Sequence, residues 1–342
     1  MRRPRLKPDY RDTWHHCYNH AVGTKADRLF DDADKEQFVR ILHRVAGLYT
    51  AEVVAYQVMS NHWHILLRTP EAIPSEEETI LRYEAFHEGK RTLLPGSRLC
   101  AEWQKRLRDV SWCMRHLQHL YTAWYNRTRP IRRRGPLWAG RFKNTVIEQG
   151  EALWACWAYV ERNPVRANMV ADPADYRFCS YGVWAQTGRH PFEAAVREVL
   201  SPALPEGLHG LGLKELRKAL REKFARLAAE KSGMPAAGAY TGTVPGAGAV
   251  AVDVVQASGG APQVATEPVP AAAEPAFTLS ARRRVRHWVD GLVIGSELFI
   301  RETMRRVRTE QEVAQHRLTR SEEAAAGAAL VCCWRRLRVI RD

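Results

Sequence analysis

The stretch that decides the fold is residues 51–67, AEVVAYQVMSNHWHILL. It is rich in Val, Tyr, Ile and Leu, which favour extended structure, so it predicts one strand or two, broken near residues 60–61. Successive side chains of a strand point to opposite faces of a sheet. We therefore expect His62 and His64 to share one face and Trp63 to lie on the other.

Elements of alternating type flank this stretch. The acids Asp31, Asp32 and Asp34 precede an apolar pattern with helical spacing, which predicts an amphipathic helix that ends near Gly47. The other predicted elements are a strand at 14–22, a helix at 110–126, a strand at 137–147 and a helix at 148–160. The order fits an α+β sandwich with helices on one face of an antiparallel sheet, although other α+β topologies share it.

The charge of the chain restricts its partners. The 342 residues carry a formal net charge of +14 at a pI of about 9.7, which attracts polyanions. Nucleic acid is the usual partner, and an anionic membrane surface is the rival. No apolar run of roughly 18 residues is present, so we expect no membrane insertion. The seven cysteines form no CxxC pair, and no secretory segment follows the basic N-terminus. Reduced thiols in a cytoplasmic, nucleoid-associated protein are therefore expected.

Composition divides the chain into four regions. Residues 1–190 form the predicted domain, with a charged helical or loop insertion at residues 71–109. Residues 191–231 predict a helical extension. Residues 232–280 contain no Lys or Arg and are rich in Ala, Gly and Pro, which predicts a flexible linker. Residues 281–342 form a short, basic, helical segment, which is either a DNA or partner contact or a solvated tail.

The pair His62 and His64 is the first candidate for chemistry. Two neighbouring imidazoles can bind one divalent ion. An isolated His-x-His pair is more often two packed or surface side chains. The chain has 13 histidines, so chance pairs such as His15 with His16 are expected.

The second candidate is Tyr159, near the end of a predicted helix. A tyrosine there ordinarily belongs to the core or its rim. Asn163 follows four residues later and shares the same helix face, so a phenol and an amide oxygen could face one metal-bound phosphate. Glu161 would point elsewhere on the same helix.

Cations interleaved with aromatic side chains lie between these two candidates. The set that we single out is Arg127, Arg129, Arg132, Arg133, Arg134, Arg141, Phe142 and Lys143. Single-stranded nucleic acid suits such a set, with phosphates on the cations and bases on the rings. A solvated basic loop explains the pattern equally well.

Taken together, three motifs resemble the REP-associated tyrosine transposases of the HUH single-strand DNA transposase superfamily. They are MSNHWHILL at residues 59–67, LWAGRFK at residues 137–143 and YVERNPVRA at residues 159–167. The segment DYRFCSY at residues 175–181 resembles the stretch after the tyrosine helix of the family. Residues 284–300 resemble, more weakly, a C-terminal piece of longer relatives. The main resemblance covers about residues 10–185.

The resemblance implies a ferredoxin-like fold with the histidine pair on a central strand. It also implies that His62 and His64 bind Mg²⁺ or Mn²⁺, with Asn163 as a third ligand. Tyr159 falls at the position of the nucleophile, which forms a 5′-phosphotyrosine, and Arg166 joins the cations that hold the strand. The expected partner is single-stranded DNA of hairpin-forming repeats. The oligomeric state stays open, including a homodimer in which the tyrosine acts across subunits.

Three other functions remain open on the sequence. The chain could be a binding module, derived from a transposase, that recognises hairpins of DNA or RNA without cleaving them. It could be a metal-dependent hydrolase that activates water and leaves no tyrosine adduct, although such enzymes usually need more carboxylate or histidine ligands. Its charge could also serve only association with a membrane or an acidic protein.

Overall fold

The computed structural model describes residues 6–23, 28–232, 291–306, 308, 313 and 331–335. The elements, in chain order, are β1 (Thr13–His20), α1 (Asp32–Leu48), β2 (Glu52–Val58), β3 (His62–Thr69), α2 (Glu76–Phe86), α3 (Arg98–Leu107), α4 (Val110–Thr128), β4 (Lys143–Ile147), α5 (Glu151–Glu161), α6 (Asn163–Arg166), α7 (Ser180–Thr187), α8 (Glu193–Ala195), α9 (Leu213–Ser232), β5 (Gly291–Ser296), α10 (Glu297–Arg305) and β6 (Val331–Arg335). Within these ranges, no helix combines the length and apolar character that crossing a membrane requires.

One sheet organises these elements, with the strand order β2-β3-β1-β4-β5-β6. The first four strands pair antiparallel. That order, with α1 after β1 and α4 before β4, is the ferredoxin-like arrangement. The predicted α+β class is therefore confirmed, and β3, which carries His62 and His64, is an inner strand. Residues 51–67 supply two strands rather than one.

Helices α1 and α4 cover one face of the sheet, as predicted. Trp63 of β3 is fully buried there, 5.8 Å between ring centres from Phe38 of α1, and Phe38 lies 5.1 Å from Tyr121 of α4. The predicted acidic helix start is also present. The Asp31 carboxylate accepts a hydrogen bond from the backbone of Asp34, whose own carboxylate accepts one from Asp31. The two long helices and the Trp63 face form the main core.

Helix α5 lies against the opposite face of the sheet, so the prediction that the helices lie on one face holds for α1 and α4 but is wrong for α5. Its Tyr159 contacts the ring of His64, on the side away from Trp63. Residues 152–161 of this helix are all buried. A helix that is apolar around its whole circumference must be covered on several sides. Helix α5 is therefore a buried helix and not a surface helix that packs through one apolar stripe.

The insertion at residues 71–109 contains α2 and α3 and packs beside α1. The guanidinium of Arg44 in α1 donates to the carbonyl of Phe86 at 3.1 Å. Arg82 of α2 donates to the carbonyl of Gly47 at 3.2 Å, near the end of α1. The insertion is thus joined to the domain through hydrogen bonds to helix-end carbonyls, which helix geometry leaves without intrahelical donors.

The described part of the C-terminal segment contains the predicted helix, α10, and two strands that were not predicted. Strand β5 pairs parallel with β4, with Val293 opposite Val146, and β6 pairs antiparallel with β5. Ile300 and Met304 of α10 join Val146 and Val293 in one buried cluster. The predicted linker, residues 232–280, lies outside the described residues beyond its first position.

Candidate active site

Strands β1 and β3 bring several imidazoles and a phenol together on one face of the sheet. Tyr18 lies opposite His64 in the strand register, and His20 lies opposite His62. Directly opposite residues of paired strands share a face, as do residues two apart on one strand. His16 therefore joins this face as well. It is not the chance occurrence that we expected, and the missed signal was the alternation of His16, Tyr18 and His20 along a predicted strand.

His64 is the most enclosed member of the cluster, with 2% of its surface exposed. Its Nδ1 lies 2.9 Å from Nε2 of His16. The two ring planes differ by only 6° and the ring centres are 5.1 Å apart, so the rings lie edge to edge in nearly one plane. Burial lowers the pKa of His64 well below its usual value, and the neighbouring His16 and His62 lower it further. His64 is therefore a neutral imidazole.

His62 lies closer to solvent and is oriented by its neighbour in the chain. Its Nδ1 donates to the side-chain oxygen of Asn61 at 2.7 Å, which leaves Nε2 as the ring nitrogen with a lone pair. Its ring centre is 5.4 Å from that of His64, with the planes at 87°. Burial, with a smaller contribution from His20, lowers the pKa of His62 to about 4. Both members of the predicted pair are thus neutral near pH 7.

Tyr159 approaches the histidines from α5. Its ring stands edge-on to His64 at 5.6 Å and to His16 at 5.7 Å between ring centres. The guanidinium carbon of Arg166 lies 5.0 Å from the centre of the phenol ring. Burial raises the pKa of Tyr159, and Arg166 opposes that rise. The phenol is therefore protonated at neutral pH, next to a fixed positive charge.

Asn163 and Glu161 of the same region have separate roles. The amide nitrogen of Asn163 donates to the carbonyls of Tyr159 at 3.1 Å and Val160 at 3.3 Å, so it caps the end of α5. The carboxylate of Glu161 points away from the histidines, as expected, and accepts from Ser180 and from the backbone of Tyr181. Burial raises the pKa of Glu161 to about 7. The role of Asn163 as a metal ligand stays a prediction.

The histidine pair fits a divalent cation by its donor chemistry. Both rings are neutral, both have Nδ1 engaged, and they lie 5.4 Å apart. Two imidazoles bound to one ion through bonds of about 2 Å have ring centres roughly 5 Å apart. Among the described residues no group of three or more His, Cys, Asp or Glu side chains could hold an ion. Further ligands would therefore be amide, phosphate or water oxygens, which Mg²⁺ and Mn²⁺ accept.

The predicted DNA-binding residues fall into different environments. Those whose side chains are exposed are Arg127, Arg132, Arg134, Arg141 and Lys143. The ammonium nitrogen of Lys143 lies 5.9 Å from the centre of the Tyr18 ring, so this cation lies beside the site. Arg166 is the other cation at the site, through its contact with Tyr159. Lys143 and Arg166 are therefore the best placed of the set to meet a phosphate near the histidines.

Three members of the set have structural contacts instead. Arg129 forms a bidentate ion pair with the buried carboxylate of Asp34. Arg133 donates to the carbonyl of Pro136 at 3.1 Å and so holds its own loop. The ring of Phe142 is 4% exposed and lies inside the fold, where no base could stack on it. Sequence alone does not separate these roles, because partner and burial depend on distant contacts.

The fold and the site define a ferredoxin-like α+β protein with a histidine and tyrosine cluster on one sheet face. Among solved structures, the chain is similar to a REP-associated tyrosine transposase bound to a REP hairpin. The match has 17% sequence identity and a TM-score of 0.37 and covers 56% of this chain and 90% of that chain. No protein-family model matches, and the comparison with curated proteins gives no match. At this identity and TM-score the likeness assigns neither a family to the chain nor a role to any residue.

Proposed function

We propose that the chain is a metal-dependent single-stranded DNA endonuclease and strand transferase, a transposase that forms a 5′-phosphotyrosine through Tyr159. The observation that carries the proposal is the contact of Tyr159 with the histidine pair. Its ring lies 5.6 Å from His64, which in turn lies 5.4 Å from His62. A nucleophile for phosphoryl transfer must lie beside the groups that hold the phosphate, because correct positioning supplies much of the rate.

Mg²⁺ or Mn²⁺, held by His62 and His64 with Asn163 as a third ligand, would supply the positive charge that stabilises the phosphate in the transition state. The contribution of the protein lies in the protonation of the pair. Burial lowers the pKa of both imidazoles, so each presents a lone pair at neutral pH. Neutral ligands also leave the full charge of the ion available to the phosphate.

In the cleavage step, the phenol oxygen of Tyr159 forms a bond to phosphorus while the bond from phosphorus to the 3′ oxygen breaks. The phenol loses its proton, and the departing 3′ oxygen takes one up. One phosphodiester replaces another, so the reverse step can rejoin a strand without ATP. Arg166, 5.0 Å from the phenol ring, stabilises the negative charge that develops on the phenol oxygen.

The partner we propose is single-stranded DNA of hairpin-forming repeats, met in the cytoplasm at the nucleoid. The motif resemblance implies this class of ligand, and the net charge of +14 suits a polyanion. Lys143 lies beside the cluster, and the exposed Arg127, Arg132 and Arg134 lie at the end of α4 and in the loop that follows. Unpaired bases of a hairpin expose edges that a protein can read.

The test is a cleavage assay on labelled hairpin single strands with Mn²⁺ or Mg²⁺, read on a denaturing protein gel. We expect a metal-dependent covalent adduct with the wild-type chain and none with Tyr159→Phe or with His62→Ala/His64→Ala. Tyr18→Phe removes the other phenol of the cluster and should keep the adduct, with the labelled peptide mapping to Tyr159. Tyr83→Phe, in the insertion, is the control for a tyrosine loss far from the histidines.

The outcomes separate the competing functions. Cleavage that survives Tyr159→Phe without an adduct identifies a hydrolase. Tight hairpin binding without cleavage, over a library of repeat hairpins, identifies a non-cleaving binding protein. The 8% exposure of Tyr159 is the observation that favours this second candidate. Mixing the Tyr159→Phe and His62→Ala chains adds a further result, because restored adduct formation requires a homodimer in which the tyrosine acts across subunits.

A further inference from the structure

The Nδ1 atoms of the two candidate metal-binding imidazoles are held in different ways. His62 donates from Nδ1 to Asn61, its neighbour in the chain, at 2.7 Å. His64 has Nδ1 2.9 Å from Nε2 of His16, which lies on the adjacent strand. A histidine that binds a metal through one ring nitrogen almost always hydrogen-bonds through the other, and that partner fixes the tautomer and the ring orientation.

We propose that His16 is a positioning residue that acts through His64. In this arrangement Nδ1 of His64 carries the proton and donates to Nε2 of His16. Nε2 of His64 then holds the lone pair that a divalent ion requires. The inference rests on the proposed function, since it assigns a residue to the metal site of that function.

The geometry of the two rings supports this role. Their planes differ by 6° and their centres lie 5.1 Å apart, so the Nδ1 to Nε2 contact runs nearly in line between coplanar rings. An in-line contact is the strongest arrangement for a hydrogen bond. A nitrogen separation of 2.9 Å leaves no room for an ion between them, because two bonds of about 2 Å to one ion would place in-line nitrogens roughly 4 Å apart. His16 therefore contacts His64, the proposed metal ligand, and not the ion itself.

The position of His16 is fixed by the sheet. Both rings are at most 2% exposed, and β1 pairs with β3 on one side and β4 on the other. Tyr159 stands edge-on to His16 at 5.7 Å as well as to His64. Because both rings are almost fully buried, neighbouring side chains hinder the ring rotation of His64 that would compensate for a change of its tautomer.

The first test needs no metal. Long-range proton–nitrogen correlation spectra of the full chain report which ring nitrogen of His64 carries the proton. We expect the Nδ1-protonated tautomer in the wild-type chain and in His16→Gln, whose side-chain oxygen can accept at the place of Nε2. His16→Leu, which fills a similar volume but has no hydrogen-bond acceptor, should give a mixture of the two tautomers of His64. An Nε2-protonated His64 in the wild-type chain would overturn the inference, because that nitrogen could not bind an ion.

The second test measures Mn²⁺ affinity by titration calorimetry on the same chains. We expect His16→Leu to bind Mn²⁺ about 10- to 100-fold more weakly than the wild type, and His16→Gln to recover most of that loss. His116→Leu, far from the cluster, should bind like the wild type. Equal affinity of wild type and His16→Leu would refute the positioning role alone. Absence of Mn²⁺ binding by the wild-type chain would refute the proposed function, while the tautomer spectra would still report on the hydrogen bond.

Discussion

The phenol of Tyr159 and the imidazole of His64 meet edge to face, with 5.6 Å between their centres and 89° between their planes. The two residues are far apart in the chain. Helix α5 carries one and strand β3 the other, and both are buried. This contact joins the nucleophile of the proposed reaction to a ligand of the proposed ion. Substitutions of neighbouring residues that leave both side chains in place therefore test how those neighbours contribute to the reaction.

Arg166 should affect chemistry more than DNA binding. Its guanidinium lies 5.0 Å from the phenol ring of Tyr159 and is the charge that opposes the effect of burial on the pKa of the phenol. We expect Arg166→Met, which keeps an unbranched apolar stem but removes the guanidinium, to slow adduct formation by about 10- to 100-fold, and hairpin affinity to fall by less than about tenfold. Single-turnover adduct formation and filter binding on one hairpin measure the two quantities.

Two further variants control this prediction. Arg166→Lys keeps a cation and should recover part of the rate. Arg189→Met removes an exposed arginine beyond α7 and should leave the rate unchanged. A rate for Arg166→Met equal to that of the wild type would show that the guanidinium does not act on the phenol.

Asn163 combines a helix cap with a predicted metal ligand, and two substitutions separate these roles. Its amide nitrogen donates to the carbonyls of Tyr159 and Val160. Asn163→Ala and Asn163→Asp both lack that donor, so each should lower the free energy of unfolding by about 1–3 kcal/mol. Only Asn163→Asp keeps an oxygen for a hard cation, so we expect Asn163→Ala to bind Mn²⁺ about tenfold more weakly and Asn163→Asp to bind it at least as tightly as the wild type. If calorimetry gives equal Mn²⁺ affinity for all three chains, the residue is a cap only.

The sequence predicts those parts of the site that depend on local periodicity. Alternation on a strand places His62 and His64 on one face, and helical spacing sends Glu161 away from Tyr159; both expectations hold. The partner of His64 was missed because it depends on which strand pairs with which and in what register. Tyr18 and His64 lie opposite each other across a long stretch of chain, and no local pattern encodes that pairing.

The same reason explains the other differences. Phe142 sits among cations in the sequence, yet the fold buries its ring. Helix α5 is recognisable as a helix, but which face of the sheet it covers depends on the whole topology. Val293 pairs with Val146 across a long separation in the chain, so no local sequence pattern predicts that β5 and β6 extend the sheet.

The attachment of β5 to the sheet should be sensitive to substitution of one of its glycines, Gly295. A Cβ added at Gly295 would lie 2.6 Å from Cβ of Glu148 and 2.9 Å from the ring of Phe299. The carboxylate of Glu148 also accepts from the hydroxyl of Ser296 at 2.9 Å. We expect Gly295→Ala to cost about 1–3 kcal/mol and to speed amide exchange in β4 and β5. Hydrogen exchange read by mass spectrometry measures this.

A second glycine provides the matched control. Gly47 lies in α1, and apart from its chain neighbours and the backbone of its own helix no atom lies within 4 Å of the position that a methyl group would take there. Gly47→Ala should therefore stabilise the chain by about 0.5–1 kcal/mol through its helix preference. Unchanged exchange in β4 and β5 of Gly295→Ala would mean that the strand shifts without cost and that Glu148 does not hold it.

Stability should fall in mild acid, with a contribution from His190. This side chain is 4% exposed, and among the described residues its Nε2 has no hydrogen-bond partner. Burial lowers the pKa of His190 to about 3. Below a pH of about 6.5 the unfolded chain binds a proton here that the folded chain does not. The stabilisation is therefore complete above a pH of about 6.5 and is lost progressively as the pH falls toward about 3, by about 2–3 kcal/mol at a pH of about 4.5.

Urea unfolding at a series of pH values from about 7 down to about 4.5 measures this slope. His190→Asn keeps an acceptor near the place of Nδ1, which accepts from the backbone of Phe192 at 3.0 Å, and removes the titration. It should flatten the slope by about one proton but not abolish it, because burial also lowers the pKa of His15 and of His116 to about 4. Equal slopes for wild type and His190→Asn would contradict the prediction. They would mean that the imidazole of His190 takes up a proton in the folded chain, or that it has a partner that stabilises its protonated form.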